Sequence, residues 1–295
     1  MMKKRFSISD KAFDVIIYII VGFFTLLCLY PLYLVVINSF SDPYLVASGE
    51  VFLYPRGFSF DAYIEAFKNG DIMSGYANSL FYTFAGTALN MALTIPAAYA
   101  LSKPNLAGRN FLMMLIVFTL YFGGGLVPHY LLMQGLGLLN TRTAVLLAQA
   151  VNATNLIVAR TFFASSVPKE LEEAAELDGC NTPQTFFKIV LPLSKAMLGV
   201  IVLYYAVARW NNFTGSLYYQ PRAKEMYSLQ MVLRNMLTVV QSGAAGESEA
   251  AEYYANVLNQ IKYSVIVIAS LPLMIVYPFL QKYFDKGVML GSVKG

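Results

Sequence analysis

Five carboxylates, Glu170, Glu172, Glu173, Glu176 and Asp178, crowd into nine residues of a chain that is otherwise apolar over long distances. The chemistry they offer is charge recognition. Carboxylates on a short helix can accept salt bridges from basic residues of a partner. Between them, Ala174 and Ala175 have side chains small enough to let the helix backbone sit deep in a partner's groove. An interfacial helix resting on lipid headgroups is the plainer alternative, but an anionic leaflet attracts basic segments rather than acidic ones.

Local signals give this segment a shape. Pro168 suits the first helical position, where its missing N–H costs nothing. Glu170, Glu172 and Glu173 favour the positive end of the helix dipole. Leu171, Ala174, Ala175 and Asp178 recur at helical spacing and share a face. Gly179 suits a left-handed helix end. Thr182 and Pro183 read as N-cap and first turn of a second helix, with Phe186, Phe187, Ile189 and Val190 as its apolar side. Pro192 breaks that helix where the next apolar stretch begins. The prediction is a helix–turn–helix elbow whose first arm is roughly 15 Å long.

The elements that carry the elbow are membrane spans. The chain is 57% hydrophobic and 13% charged, against about 25% charged in soluble domains. Val15 to Ile37, Ile72 to Ser102, Asn110 to Thr141, Thr143 to Ala159 and Tyr263 to Gln281 hold no Asp, Glu, Lys or Arg. Roughly 20 apolar residues cross a hydrocarbon core. A sixth, weaker stretch runs from Ser194 to Phe213, with Lys195 and Arg209 near its ends. The expectation is an all-α membrane protein with six transmembrane helices, at 15–37, 76–101, 110–133, 142–163, 194–213 and 261–281. Between and around them lie a tail at 1–14, an external segment at 38–75, the acidic loop at 164–193, an external loop at 214–260 and a tail at 282–295. Residues 72–281 form one transmembrane core.

Lys and Arg placement sets the orientation. Lys3, Lys4, Arg5, Lys11, Lys103, Arg109, Arg160, Lys169, Lys188, Lys195, Lys282, Lys286 and Lys294 fall on one side, which makes both termini and the acidic loop cytoplasmic. The run from Val15 to Ile37 is too long for a signal-peptide core and lacks a cleavage site, so it reads as a retained helix. The net charge of +4 comes from this flanking bias and is no nucleic-acid footprint. Cys28 and Cys180 suggest neither a disulfide nor a metal site.

Within the spans, Ser79, Gly86, Thr87, Thr94 and Ala98 give the second a small-residue face suited to close packing inside a bundle. Prolines at Pro31, Pro96, Pro128, Pro272 and Pro278 can kink their helices. Candidate solute-path residues are Tyr121, Gln149, Asn152, Asn155, Tyr204, Tyr205, Trp210, Asn211 and Asn212, since amides and aromatic rings suit sugars; interhelical hydrogen bonding is the competing role for each. His129 beside Pro128 reads as structural or interfacial. Arg209 is either a costly intramembrane charge or a side chain with its head in water. Clustered His, Cys or acidic residues, which a membrane-embedded enzyme would need, are missing from the spans. The intramembrane carboxylates or repeats of a channel or secondary transporter are missing too.

Glu173-Ala174-Ala175, three residues, Gly179, nine residues, Ile189, one residue and Leu191-Pro192 resemble the EAA loop of ATP-binding-cassette importer permeases. Asp178 before the glycine is similar to the carbohydrate-uptake branch, in which alanine commonly stands where this chain has Cys180. Phe122-Gly123-Gly124-Gly125-Leu126-Val127-Pro128, Leu136-Gly137-Leu138-Leu139-Asn140-Thr141 and the tail from Lys286 to Gly295 also resemble permeases for multiple or complex sugars. The resemblance implies the type I importer permease fold in a bacterial plasma membrane. Glu173, Ala174, Ala175, Asp178, Gly179, Ile189, Leu191 and Pro192 would then couple to an ATPase. Implied partners are a second homologous permease, two ATP-binding subunits and an extracytoplasmic solute-binding protein that the 214–260 loop can probe. ATP and Mg would be bound by those ATPase subunits, since the chain has no phosphate loop of its own. A permease of the same architecture for a non-sugar solute is the alternative.

Overall fold

The computed structural model describes residues 8–241 and 249–292, and the described residues form helices with no strand. In chain order these are α1 (Ile8–Ser39), α2 (Pro43–Ala47), α3 (Asp61–Lys68), α4 (Gly70–Ser102), α5 (Arg109–Tyr121), α6 (Leu126–Gly135), α7 (Arg142–Leu147) and α8 (Ala153–Ser166). Then come α9 (Lys169–Leu177), α10 (Thr182–Thr185), a π turn at Phe186–Val190, α11 (Leu191–Leu193), α12 (Lys195–Trp210), α13 (Thr214–Tyr219), a 3-10 turn at Lys224–Met226, α14 (Leu229–Gln241) and α15 (Glu249–Ser292).

Three helical stretches are long and apolar enough to cross a membrane: Phe13–Ser39 of α1, all of α4, and Asn259–Pro278 of α15. Counting the bent pairs α5–α6 and Thr182–Leu193 with α12 as one span each raises the number to five.

Two compact units are present. The first comprises the chain up to Asn69 with Met236–Ile268. In it the segment after α1 folds back on the helix end. Tyr30 and Tyr33 hydroxyls donate to the carbonyls of Phe52 and Leu53, and Phe40 packs among Phe58, Phe60 and Tyr63. Gln260 Nε2 donates to the carbonyls of Asn38 (3.0 Å) and Ser41, which ties α15 to the turn that follows α1.

The second unit comprises Gly70–Asn235 and the chain from Ala269 on. Its core joins α4 (Ile95, Ala98, Tyr99), α8 (Ala159, Phe163), the π turn (Phe186, Val190) and α12 (Met197, Ile201, Tyr205). Gly75, Ser79, Gly86, Thr87, Thr94 and Ala98 of α4 are buried, as its small-residue face requires.

The helix ends differ from several expected boundaries. The stretch 110–133 is not one straight helix: α5 and α6 meet at 116°. Three consecutive glycines cause this, with Gly125 at φ 77, ψ 176, a conformation essentially closed to residues with a Cβ. The stretch 142–163 is interrupted between Leu147 and Ala153. The expected external loop 214–260 is largely helical, as α13, α14 and the start of α15, and α15 continues past 281 to Ser292. Likewise α4 begins inside the expected 38–75 segment, at Gly70, and α12 stops at Trp210. The glycine-rich stretch Gly243 to Ser248, the basic cluster Lys3-Lys4-Arg5 and the final Val293 to Gly295 lie outside the described residues.

Candidate functional site

The elbow is built from local caps. Pro168 is the residue before α9 rather than its first member, because its ψ of 135 is extended. At the other end Gly179 has φ 78. Its N–H donates to the Glu176 carbonyl at 3.0 Å and the Cys180 N–H to the Ala175 carbonyl at 2.9 Å. This pair of bonds is a Schellman cap, which satisfies carbonyls that a helix end otherwise orphans. The second arm is capped by Asn181, one residue before the expected Thr182. Asn181 accepts from the Gln184 N–H and Gln184 accepts from the Asn181 N–H, both at 3.0 Å. Such reciprocal bonds form a capping box.

Pro192 does not break this arm where expected. The preceding turn is widened, with the Leu191 N–H reaching back five residues to the Phe186 carbonyl. A proline ring collides with the carbonyl four residues before it, and the π turn moves that group aside. The chain bends two residues later, at Ser194, by 84°. Phe186 and Val190 are buried, Ile189 and Leu191 half-buried, Pro192 exposed. Phe187 is also exposed, which removes it from the expected apolar side.

The acidic side chains divide. Glu172 is taken by its own chain: it pairs with Lys103 Nζ and accepts from the Tyr99 hydroxyl at 3.2 Å, while Lys103 Nζ lies 4.2 Å from the Tyr99 ring centre. Glu170, Glu173, Glu176 and Asp178 are exposed. The two alanines do not face outward together. Ala175 is buried and Ala174 exposed, as two successive residues about 100° apart on a helix must diverge. The outward face is instead Glu173, Ala174 and Leu177, the last 90% exposed. A cavity of about 360 Å³ lies beside it, lined by Lys103, Asn105, Lys169, Glu173 and Glu176 among others.

A second site occupies the interruption between α7 and α8. Arg209 of α12 is 3% exposed, so its head is not in water. Nη1 donates to the Val145 carbonyl (2.8 Å), Nη2 to those of Leu146 (2.8 Å) and Gln149 (2.9 Å), and Nε to Asn90 Oδ1 (2.9 Å). Asn90 Nδ2 donates in turn to the carbonyls of Gln149 and Ala150. These carbonyls are the ones α7 loses by ending early. Asn152 starts α8 by accepting the Asn155 N–H at 3.0 Å, and its own N–H donates to the Tyr205 hydroxyl, which pairs with Thr94 at 2.7 Å. Gly86 makes room: a Cβ there would lie 2.7 Å from Arg209 Nε. Asn90 and the role of Gly86 were not among the expectations. The available signal was an Asn inside the apolar run from Ile72 to Ser102, since a buried amide needs partners.

The candidate path residues are only partly brought together. Gln149, Asn152, Asn155, Tyr205 and Arg209 line one cavity of about 270 Å³. Gln149 also lines a second, of about 290 Å³, with Asn212, His129, Tyr218 and Tyr219. Asn212 Oδ1 accepts from the Gly215 N–H, and its Nδ2 is buried without a partner. The others lie elsewhere. Tyr121 is 79% exposed at the end of α5, and Tyr204 is exposed on α12. Trp210 is buried, donating to the Ala269 carbonyl at 2.9 Å and packing edge-on to Tyr76. The Asn211 amide returns to the Val207 carbonyl of its own helix.

Known proteins are similar to this chain over nearly its whole length. The polygalacturonan/rhamnogalacturonan transport system permease protein YtcP of Bacillus subtilis (strain 168) is 43% identical over 289 residues, spanning 97% of this chain and 100% of that protein. The arabinooligosaccharides transport system permease protein AraQ of the same organism is 30% identical, spanning 92% of each. The crystal structure of a bacterial ABC transporter involved in import of the acidic polysaccharide alginate contains a chain that superposes with a TM-score of 0.87 at 35% identity. That match covers 96% of this chain and 100% of the other. Residues 1–290 match the family described as binding-protein-dependent transport system inner membrane component, and the chain belongs to that family.

Proposed function

We propose that the chain is one permease subunit of an ATP-driven, binding-protein-dependent importer that carries sugars, as oligosaccharides or polysaccharide fragments, across a bacterial plasma membrane. It is a transport subunit, with ATP and Mg held by two separate ATPase subunits at the cytoplasmic face. A second permease completes the pathway, and an extracytoplasmic solute-binding protein delivers solute to the 214–260 segment. The six crossings of this reading are α1, α4, the pairs α5–α6 and α7–α8, α12 and α15, with both termini cytoplasmic.

The elbow carries the proposal. It is short, capped at both joints, and presents Glu173 and Leu177 outward while its inner residues Phe186 and Val190 enter the same core as α4, α8 and α12. A push on such a unit is felt by the helices it is packed into. Docking must favour one of two bundle states, because contact that is equal in both shifts nothing. In this reading Glu173 supplies a salt bridge to the ATPase, Gly179 the turn, and Ala174, Asp178, Ile189, Leu191 and Pro192 the shape of the joint. Sugar as the solute rests on the named relatives and on the amides that line the two cavities.

Gly179→Val tests the coupling. Left-handed backbone costs a residue with a Cβ about 1–2 kcal/mol, and each 1.4 kcal/mol is about tenfold. In proteoliposomes holding the whole complex, sugar uptake per ATP hydrolysed should fall about tenfold while ATP hydrolysis persists. Unchanged uptake per ATP would remove the elbow from the mechanism.

A further inference from the structure

The cavity between α7, α8 and α12 contains one formal charge and nothing that balances it. Arg209 lines it and is almost wholly buried, yet every hydrogen bond it makes goes to a neutral acceptor: three backbone carbonyls and the Asn90 amide. No ion pair involving Arg209 is present among the described residues, and no Asp or Glu lines the cavity. A guanidinium has five N–H donors; the four bonds leave one, on Nη1, uncommitted. The rest of the lining adds amides at Gln149, Asn152 and Asn155. Across Gln149, the adjoining cavity contains the buried and unpartnered Nδ2 donor of Asn212.

Burying a charge without a counter-charge is costly, and a buried charge is screened less than one in open water. A ligand that brings an anion to this cavity gains from that field, and a neutral ligand does not. The uncommitted Nη1 donor also suits an acceptor-only group. Hydrogen bonds to an ionised acceptor are roughly twice as strong as those between neutral groups.

We propose that this cavity is an anion subsite on the solute path, and that it selects acidic saccharides, those with uronic-acid carboxylates, over neutral ones. The inference rests on the sugar-import reading above and adds the class of sugar. Arg209 supplies the field, and Gln149, Asn152 and Asn155 meet the sugar's oxygens.

The test is uptake by the complete complex in proteoliposomes, comparing trigalacturonate with the same trimer after its carboxylates are reduced to alcohols. Two variants place a negative charge in the cavity that Arg209 lines, without changing side-chain shape. Asn152→Asp keeps the helix cap, since Asp caps as well as Asn; Gln149→Glu alters an exposed side chain. Because the binding protein is common to wild type and variants, a change between them reads this chain alone. The ratio of trigalacturonate to reduced-trimer uptake should fall about tenfold in each variant, the scale expected for one close like-charge contact. A ratio that both variants leave unchanged overturns the proposal. So does a wild-type complex that carries neutral oligosaccharides but not trigalacturonate, an outcome that leaves the sugar-import reading standing. A complex that takes up no saccharide of either kind brings down the reading beneath it.

Discussion

Between Leu177 and Thr182, and again between Leu147 and Ala153, the chain stops one helix and starts another, but the freed backbone groups are met in opposite ways. At the first joint every partner is a near neighbour. Gly179 and Cys180 return to Glu176 and Ala175, and Asn181 and Gln184 bond each other. At the second the partners arrive from far along the chain: Asn90 from α4 and Arg209 from α12 hold Val145, Leu146, Gln149 and Ala150. The first joint is in reach of water, which can replace a lost bond. At the second the donor, Arg209, is almost wholly buried, and a buried polar group left without its partner costs about 1–3 kcal/mol. A locally capped joint can therefore move as a unit and lose single contacts cheaply. A joint locked by one remote side chain depends on it.

Perturbations of each joint should separate by size. Arg209→Met removes the donors from three carbonyls at once, and each buried acceptor left unsatisfied costs about 1–3 kcal/mol. Thermal unfolding of the solubilised complex should shift well down and uptake should be lost; a mild effect would erase the distinction between the joints. Gly86→Val leaves Arg209 in place but puts a side chain where its Nε lies. Arg209 is pinned by four bonds and cannot swing aside, so overpacking of about 1–3 kcal/mol is expected, read by the same unfolding measurement. Asn181→Ala opens the capping box at a cost of about 1 kcal/mol, and the complex should stay folded with uptake only slightly reduced. Smallest is Lys103→Met, which breaks a partly exposed pair worth about 0.2–1 kcal/mol. A large loss of uptake in that variant would show that the Glu172 contact does more than fasten α9.

The same contrast explains what the sequence revealed. The elbow was legible almost to the residue, because Pro168, Gly179 and the acidic first turn act on their immediate neighbours. The errors there, such as Thr182 for Asn181, are single-residue shifts between two residues that both cap well. The small-residue face of α4 was also legible, since its period is local. The interruption at 148–152 was not. Residues 143–159 form an uncharged, mostly apolar run with no glycine or proline, and the one local signal in it, Asn152 as an N-cap, does not by itself interrupt a helix. What stops it is Arg209, some sixty residues on, competing for the carbonyls. Gly123-Gly124-Gly125 was visible as a motif, but its 116° bend was not, because glycine permits a turn without specifying an angle. The path residues are spread over different surroundings for a related reason: helix position alone cannot tell a buried Trp210 from a cavity-lining Asn155.

In α1, none of the most apolar window is buried by the rest of the chain, and its mean hydropathy of 2.5 is the highest of the three candidate spans. The helix therefore asks nothing of the residues that follow it in order to be stable in a bilayer, where each Leu, Ile, Phe or Val adds about 0.3–0.6 kcal/mol towards insertion. During synthesis it can enter the membrane before α4 has left the ribosome. The segment that then emerges finds its docking points, Tyr30 and Tyr33, already held in place. The lock at Arg209 can close only much later, when α12 arrives. The order of translation thus places an anchor first and a keystone late.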